Sequence, residues 1–296
     1  MENSSIIREI DAKAITDLVE KLCIDANCRL NDDIKKAISR SLDAEASFAI
    51  TSAAGEKAPG VSILESLLLN ARIAGEEQVP ICQDTGMTVV FVELGMDVHV
   101  SGGNLEDAIN EGIRRGYEKG FLRKSVVRDP IDRVNTKDNT PGVIHYSIAS
   151  GDRIKITVAP KGFGSENMSA LAMLTPSDGI DGVKAFVMDT VLNAGGNPCP
   201  PLIVGVGVGG TMEKCALLGK KALLRPVGLG NANEFWNAVE KELLEKINAL
   251  GIGPSGFGGK TTALCVNIET FPTHIAGLPV AVNISCHATR HAEGVL

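Results

Sequence analysis

The first fifty residues carry apolar positions at the spacing of amphipathic helices. Over residues 5–54, the apolar residues that recur near helical spacing are Ile6, Ile10, Ile15, Leu18, Val19 and Leu22. Side chains at this spacing lie on one face of a helix, which a globular protein buries. Asn31 or Asp32 is a suitable N-cap for a second helix. The pattern therefore predicts an N-terminal helical region.

The same spacing predicts further helices over residues 60–74, 105–117, 180–193, 212–224 and 233–250. In the first of these helices, Gly75 is a suitable C-cap, and the predicted buried positions are Leu64, Leu67 and Leu68. In the last helix, the side chains expected to face inward are Phe235, Trp236, Val239, Leu243 and Ile247.

Runs rich in Val and Ile predict strands over residues 87–94, 143–148, 153–159, 201–208, 263–268 and 279–284. The turn residues Ser150, Gly151 and Asp152 join the second and third of these runs, which is typical of a hairpin. A polar, glycine-containing loop over residues 161–167 follows. Because no repeat, low-complexity tract or clear linker interrupts the chain, we predict an α+β (mixed α/β) fold. It forms one large domain over residues 1–296, with an N-terminal helical region and mixed sheets.

Composition and charge exclude several classes of protein. The 296 residues are 44% hydrophobic and 22% charged, with a formal net charge of −7, which argues against a nucleic-acid binder. No apolar run reaches the roughly 20 residues that span a bilayer, and the N-terminus lacks the features of a signal peptide. We therefore expect a cytoplasmic protein that binds no membrane. In that compartment its seven cysteines stay reduced.

Two glycine-rich stretches resemble nucleotide-binding motifs. Gly205–Gly210 fits G-x-G-x-x-G between a predicted strand and a predicted helix. In a dinucleotide site, the acid that binds the ribose ends a second strand about 20 residues later, whereas Glu234 begins a predicted helix. The alternative interpretation is a helix N-terminus that offers backbone N–H groups to an anion or to cluster sulfur.

Residues 254–261 nearly fit the phosphate-binding loop G-x-x-x-x-G-K-[ST]. Pro254 replaces the first glycine, and the residues after Thr262 are strand-like. The motif requires a helix at that point, so we exclude a nucleotide triphosphatase.

Three of the cysteines lie among turn residues and polar side chains. Cys82 precedes Gln83 and Asp84, Cys199 lies between two prolines, and Cys286 precedes a histidine. The other four, Cys23, Cys28, Cys215 and Cys265, fall within predicted helices and strands, where a cysteine is usually a small apolar core residue. The three turn cysteines also fit core positions, but their neighbours favour one shared metal cluster. Three thiolates leave one iron of a cubane cluster open as a Lewis acid, which suits the removal or addition of water.

The polar candidates have ordinary structural interpretations as well. Asp84 either caps a turn or transfers a proton beside a cluster, and His274 is either an ordinary histidine or a functional one. Arg123 and Lys124 also fit a solvated face. His287 and His291 are four residues apart, but no glutamate follows His287, so the zinc-protease motif is absent from the sequence.

Together these stretches resemble the class I, iron–sulfur-dependent fumarate hydratases. The segments that carry the resemblance are the turn at Cys82 and residues 161–167, 197–211, 254–262 and 274–290. More narrowly, the chain is similar to the separate alpha subunit of the two-subunit enzymes, which are close relatives of L-tartrate dehydratase. The resemblance covers nearly the whole chain. It implies an iron–sulfur hydro-lyase alpha domain that a smaller beta subunit completes, as a heterodimer or heterotetramer.

The resemblance also implies specific roles for residues. Cys82, Cys199 and Cys286 would hold a [4Fe-4S] cluster whose fourth iron binds a small dicarboxylate. Gln83 and Asp84 match substrate contacts, and Asp84 would take part in proton transfer. Arg123 matches an arginine that binds a carboxylate of the substrate. Gly164 matches a loop that supplies backbone donors, and His274 matches a histidine beside the substrate. Phe163 interrupts a loop that is often richer in glycine in this family.

The activity that the resemblance implies is reversible hydration of fumarate to L-malate. L-tartrate dehydratase is the alternative within the same chemistry, because contacts that distinguish the substrates can lie on the beta subunit. A different class of function is a cluster-carrying binding or sensing protein without turnover. The hypothesis of a nicotinamide-dependent oxidoreductase is supported only by the match of residues 205–210 to G-x-G-x-x-G.

Overall fold

The computed structural model describes residues 7–51 and 59–296. The chain divides into two compact units, each assembled from separated segments. Unit 1 comprises residues 1–30, 73–162 and 290–296, and unit 2 comprises residues 31–72 and 163–289. The expected mixture of helices and mixed sheets is confirmed. The interpretation of residues 1–296 as one hydro-lyase domain stays a prediction. No helix in the described ranges combines the length and apolar character needed to cross a bilayer.

Unit 1 is a four-stranded mixed sheet with two helices packed together. Its elements are β1 (Arg8–Asp11), α1 (Ala12–Cys28), β2 (Met87–Gly95), β3 (Val98–Ser101), α4 (Leu105–Lys119), β4 (Val143–Ala149), β5 (Ile154–Lys161) and β10 (Ala292–Val295). The strand order is β10-β5-β2-β4, and β1 pairs with β3 in a separate two-stranded sheet. Buried apolar side chains of α1 and α4 form one core with alternate residues of β2 and β5, such as Val90, Val92, Ile154 and Ile156.

Unit 2 is a second four-stranded mixed sheet with helices on both faces. Its elements are α2 (Asp32–Thr51), α5 (Phe163–Glu166), β6 (Ala170–Leu174), α6 (Gly179–Ala194), β7 (Leu202–Gly209), α7 (Met212–Ala222), α8 (Glu234–Ala249), β8 (Ala263–Phe271) and β9 (Leu278–Ser285). The helix α3 (Pro59–Glu77) contributes residues to both units. The strand order is β6-β9-β7-β8. The core that α6 and α8 share with the sheet contains Val204 and Val206, whereas α7 packs on the opposite face of β7.

The first glycine motif is explained by the close packing of α7 on β7. A Cβ atom at Gly205 would lie 2.3 Å from the carbonyl oxygen of Gly219, and one at Gly207 would lie 2.1 Å from that of Cys215. Real Cβ atoms do not approach a carbonyl so closely, so only glycine permits this contact. These two glycines therefore have a packing role, which argues against a dinucleotide site.

The predicted hairpin between residues 143–148 and 153–159 is wrong. Strand β2 lies between the two strands, parallel to β4 and antiparallel to β5. The turn residues 150–152 therefore connect strands that pair with a third strand rather than with each other. The polar loop at residues 161–167 also contains the short helix α5.

Four details of the helix predictions are corrected. Helix α3 continues through Gly75 to Glu77, so Gly75 is not its C-cap, and Leu67 and Leu68 are only half-buried. Phe235 is 55% exposed because it lies in the first turn of α8 rather than on its buried face. The helical pattern predicted over residues 5–54 includes strand β1, and residues 5, 6 and 52–54 lie outside the described residues.

Candidate active site

In unit 1, the turn that leads into β2 carries three candidate residues. Cys82 is half-buried and its Sγ lies 3.3 Å from Oε1 of Gln83, which is exposed. Asp84 is half-buried, and its Oδ1 accepts a hydrogen bond from the Gly86 N–H at 3.0 Å. This is the geometry of an Asx turn, so one carboxylate oxygen of Asp84 is fixed by its own backbone.

Two buried side chains, Tyr117 and Arg290, donate hydrogen bonds to the backbone of this turn. The hydroxyl of the fully buried Tyr117 lies 2.8 Å from the Thr85 carbonyl oxygen and 2.9 Å from the Gly86 carbonyl oxygen, to which it donates. Burial raises the pKa of Tyr117, so this hydroxyl stays a donor. Arg290, also buried, donates from Nη2 to the Asp84 carbonyl oxygen at 2.6 Å and from Nε to Oδ1 of Asn27 at 3.2 Å. The backbone around Asp84 is therefore rigid.

A close backbone approach explains the glycine that follows Asp84 and Thr85. Gly86 has a φ of 77°, and a Cβ atom there would lie 2.6 Å from the carbonyl carbon of Lys161. Both the left-handed backbone and the lack of space require glycine. At the neighbouring position, a Cβ atom on Gly162 would lie 3.2 Å from Oδ2 of Asp84. The end of β5 therefore borders the second carboxylate oxygen of Asp84.

The structure brings Arg123 to the same part of unit 1. Oγ1 of Thr85 donates to the Arg123 carbonyl oxygen at 3.0 Å. The buried Asn139 accepts hydrogen bonds from the backbone N–H groups of Ser125 and Val126 at 2.7 and 3.2 Å. Its Nδ2 donates to the Gly86 carbonyl oxygen at 3.2 Å. The loop that carries the exposed Arg123 is thus tied to the turn of Cys82, Gln83 and Asp84.

In unit 2, two cysteine loops lie side by side. His287 follows Cys286 directly, and its Nδ1 lies 3.0 Å from the Cys199 carbonyl oxygen. The Cys286 carbonyl oxygen accepts from the N–H and Oγ1 of Thr289 at 3.0 and 2.8 Å, which fixes the turn after β9. Cys199 has a φ of 56°. A left-handed backbone costs a residue other than glycine about 1–2 kcal/mol, so the surrounding structure imposes this conformation.

Two other candidates in unit 2 lie on the surface. His274 is exposed between β8 and β9, where its Nδ1 accepts from the Ala276 N–H at 3.2 Å. Oγ1 of the preceding Thr273 donates to the Gly210 carbonyl oxygen at 2.9 Å. Gly164 is exposed within α5, and a Cβ atom there would meet nothing within 4 Å. Neither steric crowding nor a positive φ therefore requires glycine at position 164.

The candidate residues thus form two sets, one in each unit. Cys82, Gln83, Asp84 and Arg123 belong to unit 1, and Gly164, Cys199, His274 and Cys286 belong to unit 2. Within neither unit do three His, Cys, Asp or Glu side chains of the described residues form a group that could hold a metal ion.

The seven cysteines separate clearly by environment. Cys82, Cys199 and Cys286 are exposed or half-buried. The other four are buried, as predicted, and burial raises the pKa of each thiol, to about 11 for Cys215 and about 12 for Cys265. Because the thiolate is the form that binds iron, the buried four are poor ligands. The donor chemistry of the accessible three fits an iron–sulfur cluster.

This separation predicts a pattern of alkylation. In the metal-free native chain at pH 8 under anaerobic conditions, iodoacetamide should modify Cys82, Cys199 and Cys286 at least about 100-fold faster than Cys215 and Cys265, which are buried and protonated. Modification of Cys215 should accelerate as the pH approaches its pKa of about 11. Mass spectrometry of peptides taken over time measures each rate. Equal rates for Cys199 and Cys215 in the folded chain would contradict the assignment.

Several residues that build the site carry no strong sequence signal. Tyr117 and Arg290 hold the turn of Asp84, and His287 contacts the Cys199 loop. Tyr117 lies on the buried face of α4, where an aromatic side chain is ordinary. For His287, the available sequence signal is its position directly after Cys286, because polar residues next to a candidate metal ligand often help to orient the ligands.

Comparison with known proteins gives matches along almost the whole chain. A family model described as "Fumarate hydratase (Fumerase)" matches residues 16–295. Over 284 residues the chain is 43% identical to the "Putative L(+)-tartrate dehydratase subunit alpha" of Methanocaldococcus jannaschii, an alignment that covers 94% of this chain and 96% of that protein. It is 32% identical over 286 residues to the L(+)-tartrate dehydratase subunit alpha of Escherichia coli strain K12, with 95% and 90% covered. The protein of that name in Shigella sonnei has the same identity and coverage.

Proposed function

Because the chain belongs to the fumarate hydratase (Fumerase) family of hydro-lyases, we propose that it is the alpha subunit of an iron–sulfur enzyme that reversibly hydrates fumarate to L-malate. The whole chain, residues 1–296, would be the alpha domain. The observation that carries the proposal is the pair of cysteine loops in unit 2, where His287 beside Cys286 contacts the Cys199 carbonyl oxygen. Loops in that contact can present two thiolates to one cluster.

In this proposal Cys82, Cys199 and Cys286 hold a [4Fe-4S] cluster. When bound, such a cluster supplies an open iron position that acts as a Lewis acid on the substrate hydroxyl. The accessibility of these three thiols, against the burial of the other four, supports the ligand assignment.

The chain's own polar groups would bind the dicarboxylate and move a proton. Arg123 is exposed on a loop tied to the Asp84 turn, so its guanidinium can bind a substrate carboxylate through two parallel hydrogen bonds. Gln83 and the N–H of Gly164 would donate to substrate oxygens, and His274 would lie beside the substrate. Asp84 would take part in the transfer of the proton at the carbon next to the hydroxylated one, because one of its oxygens is fixed by Gly86.

L-tartrate dehydration is the second candidate. The observation that favours it is the name of the relatives, which are called L(+)-tartrate dehydratase subunit alpha. L-tartrate differs from L-malate by one more hydroxyl, so the same elimination of water would apply to it. The word alpha in those names also supports a partner. We propose that a beta subunit completes the site, in a heterodimer or heterotetramer.

An anaerobic assay of the reconstituted pair tests the proposal. The chain is co-expressed with a candidate beta subunit from the same genome and reconstituted with iron and sulfide, and fumarate absorbance is followed after addition of L-malate. We expect fumarate to form only when both chains and the cluster are present. Turnover of L-tartrate with no turnover of L-malate would establish the second candidate instead. No turnover of either substrate by an intact cluster protein would contradict both candidates and favour a binding or sensing role.

A further inference from the structure

A buried carboxylate lies inside the second glycine-rich loop of unit 2. Glu45, on α2, is 1% exposed. Its Oε1 accepts hydrogen bonds from the backbone N–H groups of Lys260 and Thr261 at 2.6 and 2.7 Å. Hydrogen bonds from backbone N–H groups to an ionised carboxylate are stronger than neutral ones. The loop therefore directs two backbone N–H groups at the Glu45 side chain.

The glycines of this loop allow it to close around that carboxylate. A Cβ atom on Gly259, whose φ is 135°, would lie 2.9 Å from both carboxylate oxygens of Glu45. Gly253 has a φ of 70°, and a Cβ atom there would lie 2.0 Å from the Gly258 carbonyl carbon. Only glycine adopts these conformations in so little space. The likeness to a phosphate-binding loop thus has a physical cause, since the same backbone chemistry serves an internal carboxylate.

The same loop supports the backbone on both sides of Cys199. The Ser255 N–H donates to the Pro200 carbonyl oxygen at 2.8 Å. Gly256 packs against Gly196 so closely that a Cβ atom on Gly256 would lie 2.8 Å from the Gly196 Cα. The Gly196 carbonyl oxygen in turn accepts from the Cys199 N–H at 3.1 Å. One continuous chain of contacts therefore connects the Glu45 carboxylate to the Cys199 backbone.

We propose that Glu45 is a positioning residue for Cys199: its buried carboxylate holds residues 254–261 in the shape that fixes the Cys199 loop. The inference rests on the proposed function in one respect, that Cys199 is a cluster ligand. Cys199 has a left-handed backbone that its surroundings must impose. Loss of the carboxylate would release the supporting loop, and the Cys199 thiolate would then no longer be held in one place for iron.

Hydrogen exchange of the metal-free, full-length chain tests this connection. Glu45→Ala removes both hydrogen bonds, Glu45→Gln keeps one neutral acceptor, and Asp43→Asn is the matched control because Asp43 lies exposed on the same helix. In Glu45→Ala we expect exchange to accelerate about 10- to 100-fold in residues 254–262. Residues 196–199 should accelerate at least about fivefold, with smaller changes of the same pattern in Glu45→Gln. Asp43→Asn should match the wild-type chain.

Iron content provides the second measurement. After anaerobic reconstitution, both Glu45 variants should retain less iron per chain than the wild-type and Asp43→Asn chains. Faster exchange confined to residues 254–262, with residues 196–199 and iron content unchanged, would overturn the proposal. Faster exchange throughout the core strands of unit 2 in both Glu45 variants would also overturn it, because Glu45 would then only stabilise the fold. A wild-type chain that binds no iron would refute the proposed function, whereas the exchange comparison tests the Glu45 connection independently.

Discussion

Cys199→Ser is expected to abolish cluster binding and turnover together. The substitution exchanges only sulfur for oxygen, so it leaves the backbone, which has a φ of 56° at this position, in place. A serine hydroxyl stays protonated at neutral pH and is a poor ligand for iron, so one of three cluster ligands is lost. We expect turnover below about 1% of the wild-type rate, because the Lewis acid is lost with the cluster. Iron and sulfide analysis with the malate assay measures both effects in one preparation.

Cys215→Ser is the matched control for that experiment. Cys215 is buried on α7, and its Sγ lies 3.1 Å from the Gly207 carbonyl oxygen, to which a serine hydroxyl can also donate. This variant should keep the cluster and the turnover, with at most about 1–2 kcal/mol of lost stability from the changed packing. A Cys199→Ser protein with a full complement of iron and sulfide would show that the ligand assignment is wrong.

The helices and strands that bury one continuous face could be predicted from the sequence. The pattern predicts a strand over residues 87–94, and β2 extends over Met87–Gly95. It predicts a helix over residues 180–193, and α6 extends over Gly179–Ala194. Both have many buried apolar side chains, so their hydrophobic pattern reflects the core directly. The short strands β1, β3, β6 and β10 were missed. Each has four or five residues, which is too few for a period to stand out.

Strand pairing could not be predicted, because it depends on contacts between distant segments. Residues 150–152 have the composition of a hairpin turn. The two strands that this turn joins, however, both pair with β2, one on each side of it. Local turn chemistry allows a hairpin and does not exclude a third strand between its arms. The same limit applies to the division into two units, since each unit combines segments separated by 90 residues or more.

The candidate site also contains residues that the local sequence indicates and residues that only contacts between distant segments reveal. Cys82, Cys199 and Cys286 could be selected because each lies among turn residues, and their exposure agrees with that choice. The residues that support them could not. Glu45 contacts a loop more than 200 positions away, and Arg290 contacts the Asp84 carbonyl oxygen across a similar separation. The residues around Glu45 have the pattern of an ordinary helix, and nothing near Arg290 in the sequence indicates that it contacts Asp84.

Asp84→Asn is expected to keep the cluster and lose most of the turnover. Asparagine has the shape of aspartate, so its Oδ1 can still accept from the Gly86 N–H, and Tyr117 and Arg290 still hold the turn. Cys82, two residues earlier, should therefore keep its position and bind iron. Asparagine cannot take up a proton at neutral pH, and removal of a general base or acid costs about 10²–10⁴-fold in rate. The expected result is wild-type iron content with kcat reduced in that range.

Asp178→Asn separates this chemical effect from a general effect of the same substitution. Asp178 is exposed, and its Oδ2 accepts from the Thr175 N–H at 2.7 Å, so it too bonds a backbone donor in a turn. It should keep full turnover. If Asp84→Asn turned over at a rate near that of the wild type, Asp84 would have no part in proton transfer, and the base would have to come from elsewhere. If it lost iron as well as turnover, Asp84 would act through the Cys82 turn, because a proton carrier that is replaced by its isostere leaves the cluster bound.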